Sequence, residues 1–380
     1  MKLLLVNTHC GYVGGVERYI AAIAKLLIHA GHQVYGLFED RVSGADGFAR
    51  NFTDVFMLAD HDQSWRTRLQ IDLAILNKTA SPELIRDLRQ RFKTMVFFHD
   101  HDYYCPRHHK YFPFLHGNCH RPFSLLGCAL CTALLEKRNG RIHLVNLWRQ
   151  HRLITEIRSC HGYLVMSEYM RNNLLLNGYP AAKIHKIYPV QEPISGAASE
   201  RQPGSVVYIG QLIRGKGIDL LLAAFAGLPD NVKLTIVGCG NQEPELRQLV
   251  KRKQWENRVT FTGWVDEPER YLQQAAVAAV PSRWQEPFGL VGIEALACQT
   301  PVVGFDVGGI REWLTDRENG LLVPERNVHA LREALRTLLG NPELAVGYGR
   351  NGAEKVRKEF SAETFLQRFE KISAGGHEHV

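Results

Sequence analysis

The chain has 380 residues, 45% of them hydrophobic and 22% charged, with a formal net charge of +7. That length exceeds one typical core, and an ordinary apolar fraction without low-complexity tracts excludes disordered and collagen-like classes. No apolar run reaches the ~20 residues of a membrane-spanning helix.

Leu3–Val6 is a continuous apolar run that stops at Asn7, as in a strand buried on both faces. It is too short for the hydrophobic region of a signal peptide, so a cytoplasmic protein is expected. Gly11, Gly14 and Gly15 follow, then residues 17–27 with helical periodicity, then a second strand over residues 33–38. A glycine turn at a helix N-terminus lets backbone amides approach an anion or a hydroxyl-rich ligand; a tight turn without a ligand is the other reading. The spacing departs from G-x-G-x-x-G, so no NAD site is expected.

Residues 72–77 and 94–98 read as further strands, the latter running into His99-Asp100-His101-Asp102. Open α/β sheets bind ligands beyond the carboxyl ends of their strands, which makes His99 and Asp100 candidates for sugar contacts, with surface solvation the alternative. An irregular stretch over residues 103–134 carries Cys105, Cys119, Cys128 and Cys131. The spacing Cys-x13-Cys-x8-Cys-x2-Cys suits a tetrahedral structural zinc, with His108, His109, His116 and His120 as spare ligands. Reduced buried thiols and disulfides stay open beside that reading. Cys10, Cys160, Cys239 and Cys298 are scattered, which argues against a secreted disulfide framework.

Residues 137–158 place Arg138, Arg141, Arg149, Arg152 and Arg158 against the single acid Glu156, interleaved with Ile142, Leu144, Val145, Leu147, Trp148, Leu153 and Ile154. Such a segment either docks on an anionic membrane or substrate, or is a solvated helix face packed on its apolar side. A place at the inner face of the membrane follows from the first reading. No nucleic-acid motif accompanies the charge, so no nucleic-acid partner is expected.

Residues 162–166 form a strand and 168–176 a short helix. Small polar residues between Gly196 and Gly204 place the boundary between a domain over 1–195, with its cysteine-bearing loop 103–134, and one over 196–361. In the second half, strands at 205–210, 233–238, 259–264, 275–280, 301–305 and 319–323 alternate with helices, the pattern of a parallel, doubly wound sheet. The expected architecture is α/β: two Rossmann-like domains facing across a cleft, with a helix at 362–380 packing back on the first domain.

The chemistry gathers in the second half. Lys216 lies in a glycine-flanked loop ahead of a helix and can reach a phosphate as a point charge, with Arg214 able to share the task. The backbone of Pro287, Phe288, Gly289 and Leu290 offers amides at a helix N-terminus. Glu286 and Glu294, eight positions apart, are suited to hold vicinal hydroxyls at opposite ends of one ligand: Glu286 a transferred sugar, Glu294 a ribose.

These joint motifs resemble a known family. Glu286-Pro287-Phe288-Gly289-Leu290-Val291-Gly292-Ile293-Glu294 looks like the Glu-x7-Glu signature of the retaining glycosyltransferases of family 4. Pro301-Val302-Val303-Gly304, Gly308-Gly309 and Asn319-Gly320-Leu321-Leu322-Val323 look like its downstream markers, and Gly14-Gly15 like its N-terminal loop. His99-Asp100, with the cysteine-bearing loop, resembles a subset of bacterial members. The resemblance implies a GT-B fold and retaining transfer from a UDP- or GDP-linked sugar to a glycan or lipid-linked acceptor, with no catalytic divalent metal. It implies that Lys216 holds donor phosphate, Glu286 the sugar, Glu294 the ribose and His99 a donor-sugar hydroxyl; Gly15, Arg214, Phe288, Gly289 and Leu290 complete the donor set. Gln211 stands where the family usually has arginine. An epimerase or hydrolase of the same fold, and a non-catalytic nucleotide-sugar-binding protein, remain as alternatives.

Overall fold

The computed structural model describes residues 1–59, 64–66, 69–79, 81–112, 117–132, 135–138, 141–191, 194 and 201–375. The expected boundary at 195/196 and the spare ligand His116 lie outside the described residues. Two compact units result: Met1–Val190 with Ala362–Val380, and Gln191–Ser361.

The first unit begins with β1 (Lys2–Cys10), α1 (Gly15–His29), β2 (Gln33–Arg41), α2 (Ala45–Ala49), β3 (Asp54–Met57), β4 (Leu73–Leu76), α3 (Pro82–Arg91) and β5 (Thr94–Phe98). It continues through β6 (Tyr111–Phe112), β7 (Gly117–Asn118), α4 (Leu125–Thr132), β8 (Leu135–Arg138), β9 (Arg141–Leu144), α5 (Leu147–Arg158), β10 (Gly162–Val165), α6 (Glu168–Leu176) and β11 (Ile184–Lys186). Seven strands pair in parallel in the order β11-β10-β5-β4-β1-β2-β3. Leu3–Val6 and Thr94–Phe98 are buried throughout because both faces of a parallel sheet carry helices.

Two stretches differ from the sequence expectation. The segment expected to be irregular contains the short β6–β7 ladder and the helix α4. The basic segment divides into β9 and α5, and α5 turns Leu147, Leu153, Ile154 and Ile157 into the core. Its acid Glu156 is engaged by Arg86 and Arg89 of α3. Its apolar side is packed, as in the solvated-face reading, while Trp148 is exposed.

The second unit runs β12 (Gln202–Ile209), α7 (Ile218–Phe225), β13 (Lys233–Val237), α8 (Glu243–Arg252), β14 (Val259–Gly263), α9 (Glu269–Gln274), β15 (Ala275–Val280), α10 (Leu290–Ala297), β16 (Val302–Phe305), β17 (Gly320–Val323), α11 (Val328–Gly340) and α12 (Pro342–Glu359). Its sheet order is β14-β13-β12-β15-β16-β17, again parallel. The chain's last helix, α13 (Ala362–Ser373), groups with the first unit. Phe365, Phe369 and Ile372 are buried there, and Ser373 O accepts a 2.9 Å bond from Lys93 Nζ.

Candidate active site

Each sheet has one place where the strand order reverses: β1/β4 in the first unit and β12/β15 in the second. Loops leaving the two strands on either side of such a point diverge and leave a crevice at their carboxyl ends. The candidate residues gather at these two places.

In the second unit the loop after β12 carries Lys216 and the loop after β15 carries Glu286. Lys216 Nζ lies 2.6 Å from Glu286 Oε1, and Ser282 Oγ donates to the same oxygen at 2.5 Å. Glu286 is 7% exposed, so its charge depends on these donors. The two loops are joined along their backbones. Arg283 N donates to Gly215 O at 2.8 Å, and Arg283 also pairs with Asp219 in the first turn of α7.

Glycines make this approach possible. A Cβ at Gly215 would stand 1.8 Å from the Trp284 ring, and one at Gly217, where φ is 71°, would stand 1.9 Å from Pro281 O. Gly309 N donates to Glu286 O at 2.7 Å, and a Cβ on the preceding Gly308 would meet that same carbonyl at 2.1 Å.

Gly289, with φ of 90°, caps α10 and turns Leu290 into its first residue. Phe288 is buried against Phe360, ring centroids 5.8 Å apart, and its carbonyl accepts a 2.7 Å bond from Trp313 Nε1. Phe288 thus acts through packing that holds the Glu286–Gly289 turn. Glu294 is half-buried on α10, and Arg214 is exposed beside Lys216. Gln211 is exposed and its carbonyl accepts from the Tyr208 hydroxyl at 2.9 Å. Burial and the Glu286 charge hold that phenol well above its ordinary range, so it remains a donor.

In the first unit the glycine loop precedes α1, and Gly14 N donates to the buried carboxylate of Glu17 at 2.9 Å. Asn7 Nδ2 reaches the other oxygen of Glu17 at 3.3 Å, which ties the loop to β1. A Cβ on Gly15 would meet nothing within 4 Å, so the space beside this loop is open.

His99 follows β5. Its Nε2 is 2.9 Å from Asn77 Oδ1, at the end of the neighbouring β4, and its ring stacks on Phe97 with centroids 4.4 Å apart. Asn77 Nδ2 points at the carbonyls of Val6 and Ile75, so Oδ1 faces His99. The imidazole therefore donates from Nε2 and carries its lone pair on Nδ1. Burial, then the Lys78 charge, pull the imidazolium down to about 3. Lys78 Nζ is 3.1 Å from Asp100 and 2.6 Å from Asp102, whose other oxygen meets His108 Nδ1 at 2.6 Å. Burial and the Asp102 charge push Asp100 up to about 6; Asp102, despite its own burial, is held low by His108 and Lys78.

Asn77, Lys78 and Ser282 were not singled out by the sequence reading. Asn77 ends the strand predicted over 72–77, Lys78 follows it, and Ser282 lies two residues past the strand predicted over 275–280, so their place at the carboxyl ends of strands was the signal available.

Cys105, Cys119, Cys128 and Cys131 line one pocket in the first unit, and all four thiols are unbridged. Among the described residues, no group of three or more His, Cys, Asp or Glu side chains is arranged to hold a metal ion. No described helix is long and apolar enough to cross a membrane.

Two family models match, one to each unit. Residues 13–190 match the Glycosyltransferase Family 4 model and residues 194–355 the Glycosyl transferases group 1 model. Each unit is thus similar to one glycosyltransferase model, and the fold is GT-B. The chain is 30% identical over 255 residues to an alpha-maltose-1-phosphate synthase of Mycolicibacterium smegmatis, covering 58% of this chain and 65% of that one. It is 27% identical to a poly(ribitol-phosphate) alpha-N-acetylglucosaminyltransferase of Staphylococcus aureus over 57% of this chain and 44% of that one. The chain thus spans about half to two thirds of the length of these curated relatives. Among solved structures, Anabaena HepE in complex with UDP superposes with a TM-score of 0.76 at 17% identity, over 99% of this chain and 100% of the other. The pneumococcal O-GlcNAc transferase in complex with UDP and GlcNAc gives 0.72 at 15% identity, over 99% of each. Similarity at that identity bears on the fold.

Proposed function

We propose that the protein transfers a sugar from a nucleotide-sugar to a glycan or lipid-linked acceptor, with retention at the anomeric carbon. The observation that carries this reading is the Lys216–Glu286 pair, held on the two loops that flank the β12/β15 switch point. An ammonium and a carboxylate at 2.6 Å offer adjacent sites for a phosphate oxygen and a sugar hydroxyl. The α10 N-terminus, opened by Gly289, supplies amides for an anion.

The chemistry follows from that polarity. As the bond between the anomeric carbon and the diphosphate breaks, negative charge builds on the leaving group, and Lys216 with the α10 amides stabilises it. Arg214 adds a second cation, which makes up for Gln211 where the family carries arginine. Glu286 orients the sugar and Glu294 the ribose. The acceptor hydroxyl attacks from the face the diphosphate leaves, which gives retention. His99, neutral at physiological pH, presents the Nδ1 lone pair to a sugar hydroxyl. Gly15 leaves room for a ligand to lie against the first-unit backbone. UDP is the favoured nucleotide, because structural relatives hold it.

The test is incubation of purified protein with UDP- and GDP-sugars, with and without glycan and lipid-linked acceptors. Acceptor-dependent nucleotide release with an unchanged anomeric configuration by NMR supports transfer. Release without acceptor identifies a hydrolase, and a rearranged donor an epimerase. Donor binding with neither outcome assigns the chain to a binding role. Sedimentation with anionic vesicles tests whether the acceptor is met at a membrane surface.

A further inference from the structure

Lys110 is 2% exposed, an unusual place for an ammonium. Its Nζ donates to Arg121 O at 3.1 Å and Asn173 Oδ1 at 2.7 Å, and it stands 5.8 Å from the Tyr104 ring centroid. All three contacts are neutral. The ionisable groups close enough to act on it are the thiols of Cys119, Cys105 and Cys128. Those thiols also act on one another: Cys105 feels Cys119 and Cys128, and Cys131 feels the same two. Lys110 and the four cysteines line one pocket of about 40 Å³. Arg107 and Arg121, which line it too, add to its positive field.

Among the described residues that buried cation is held by neutral groups alone, which is costly, and it sits beside four half-buried cysteines in a segment with little core of its own, whose elements are two-residue strands and one eight-residue helix. One change settles both. We propose that Cys105, Cys119, Cys128 and Cys131 close on a single structural Zn²⁺ ion, and that Lys110 supplies the counter-charge. Four thiols give up their protons to solvent, four Zn–S bonds form, and the cluster carries a net −2 facing the Lys110 ammonium. The four side chains border one pocket from three separate stretches of chain but are not drawn around a common point among the described residues; closing on the ion would bring them together and tie β6–β7, α4 and the loop after β5 into one body. This site lies wholly in the first unit and does not depend on the transfer reading.

The test is metal analysis of the full chain purified without chelator, together with thiol titration under native conditions. About one zinc per chain is expected, with all four cysteines shielded from the thiol reagent until the metal is removed. Replacement by Co²⁺ should give the thiolate charge-transfer absorption of a sulfur-rich tetrahedral site. The double variant Cys128→Ser/Cys131→Ser should lose the metal while Cys239→Ser keeps it. Lys110→Met should release zinc to a competing chelator roughly tenfold more readily. Metal-free wild-type protein with four reactive thiols, a disulfide between any two of them, or zinc retained in the double variant would each overturn the proposal. The wild-type measurement decides even where the double variant does not fold.

Discussion

Lys216 and Glu286 are 70 positions apart in sequence and 2.6 Å apart in space, and the proposed chemistry rests on that contact. Lys216→Ala removes the point charge that meets the departing diphosphate, so turnover should fall roughly 10²–10³-fold. A coupled assay of nucleotide release measures it, and turnover near the wild-type rate would remove Lys216 from the mechanism. His99 offers a test by pH. Its folded pKa is about 3 against 6.5 for an unperturbed histidine. Between those values the unfolded chain takes up a proton that the folded chain refuses. Stability from this residue is therefore fully present above 6.5 and declines as pH falls toward 3, by up to ~1.4 kcal/mol per pH unit. His99→Gln should lose less stability between pH 7 and pH 5 than wild type, read as urea midpoints. The comparison cancels the opposite slope from Asp100, which is raised in both proteins.

Among the elements, the loops after β12 and β15 behave as one unit because their backbones meet where glycines leave room. Gly308→Ala would place a methyl 2.1 Å from Glu286 O, at a φ of 58° that L-residues rarely adopt. Loss of roughly 1–3 kcal/mol is expected, together with a raised KM for donor as the Glu286 turn shifts. Denaturant unfolding and donor titration check the two parts. Stability lost without any change in KM would separate the glycine from the site. The strands were legible because parallel strands buried on both faces appear as unbroken apolar runs, and β5 and β15 lie where those runs are. β3 was missed because its four residues, Asp54–Met57, make too short and mixed a run to stand out. The cysteine-bearing segment read as irregular because two-residue strands leave no periodicity to detect.

At the scale of the whole molecule, the chain's last helix returns to the unit in which the chain began. Phe365 and Phe369 line a pocket with Leu5, Ile20, Phe97 and Leu164, and Phe369 approaches His32 at 6.2 Å between ring centroids. Truncation after Ser361 would uncover that surface and forfeit the burial of Phe365, Phe369 and Ile372, an upper bound of roughly 5–9 kcal/mol. The truncated chain should show a lowered first-unit transition by calorimetry. An unchanged profile would mean that α13 contributes little to that unit. Donor should stabilise the second unit by about 2.7 kcal/mol at a hundred times its Kd, so nucleotide-sugar screening by thermal shift reports on that unit directly.

By itself, the sequence determined the alternation of strand and helix, the glycine loops and the Glu-x7-Glu spacing. These are local patterns, set by side-chain periodicity and backbone freedom over a few residues. The tertiary structure decided the rest. Strand order places the loops of β12 and β15 side by side, so Lys216 and Ser282 meet one carboxylate oxygen and the Asn77 carbonyl sets the tautomer of His99. It also buries Lys110 at a pocket bordered by four cysteines drawn from separate stretches of the chain. No local pattern encodes those pairings, because each depends on which distant strands lie adjacent, and adjacency follows from the packing of the whole sheet.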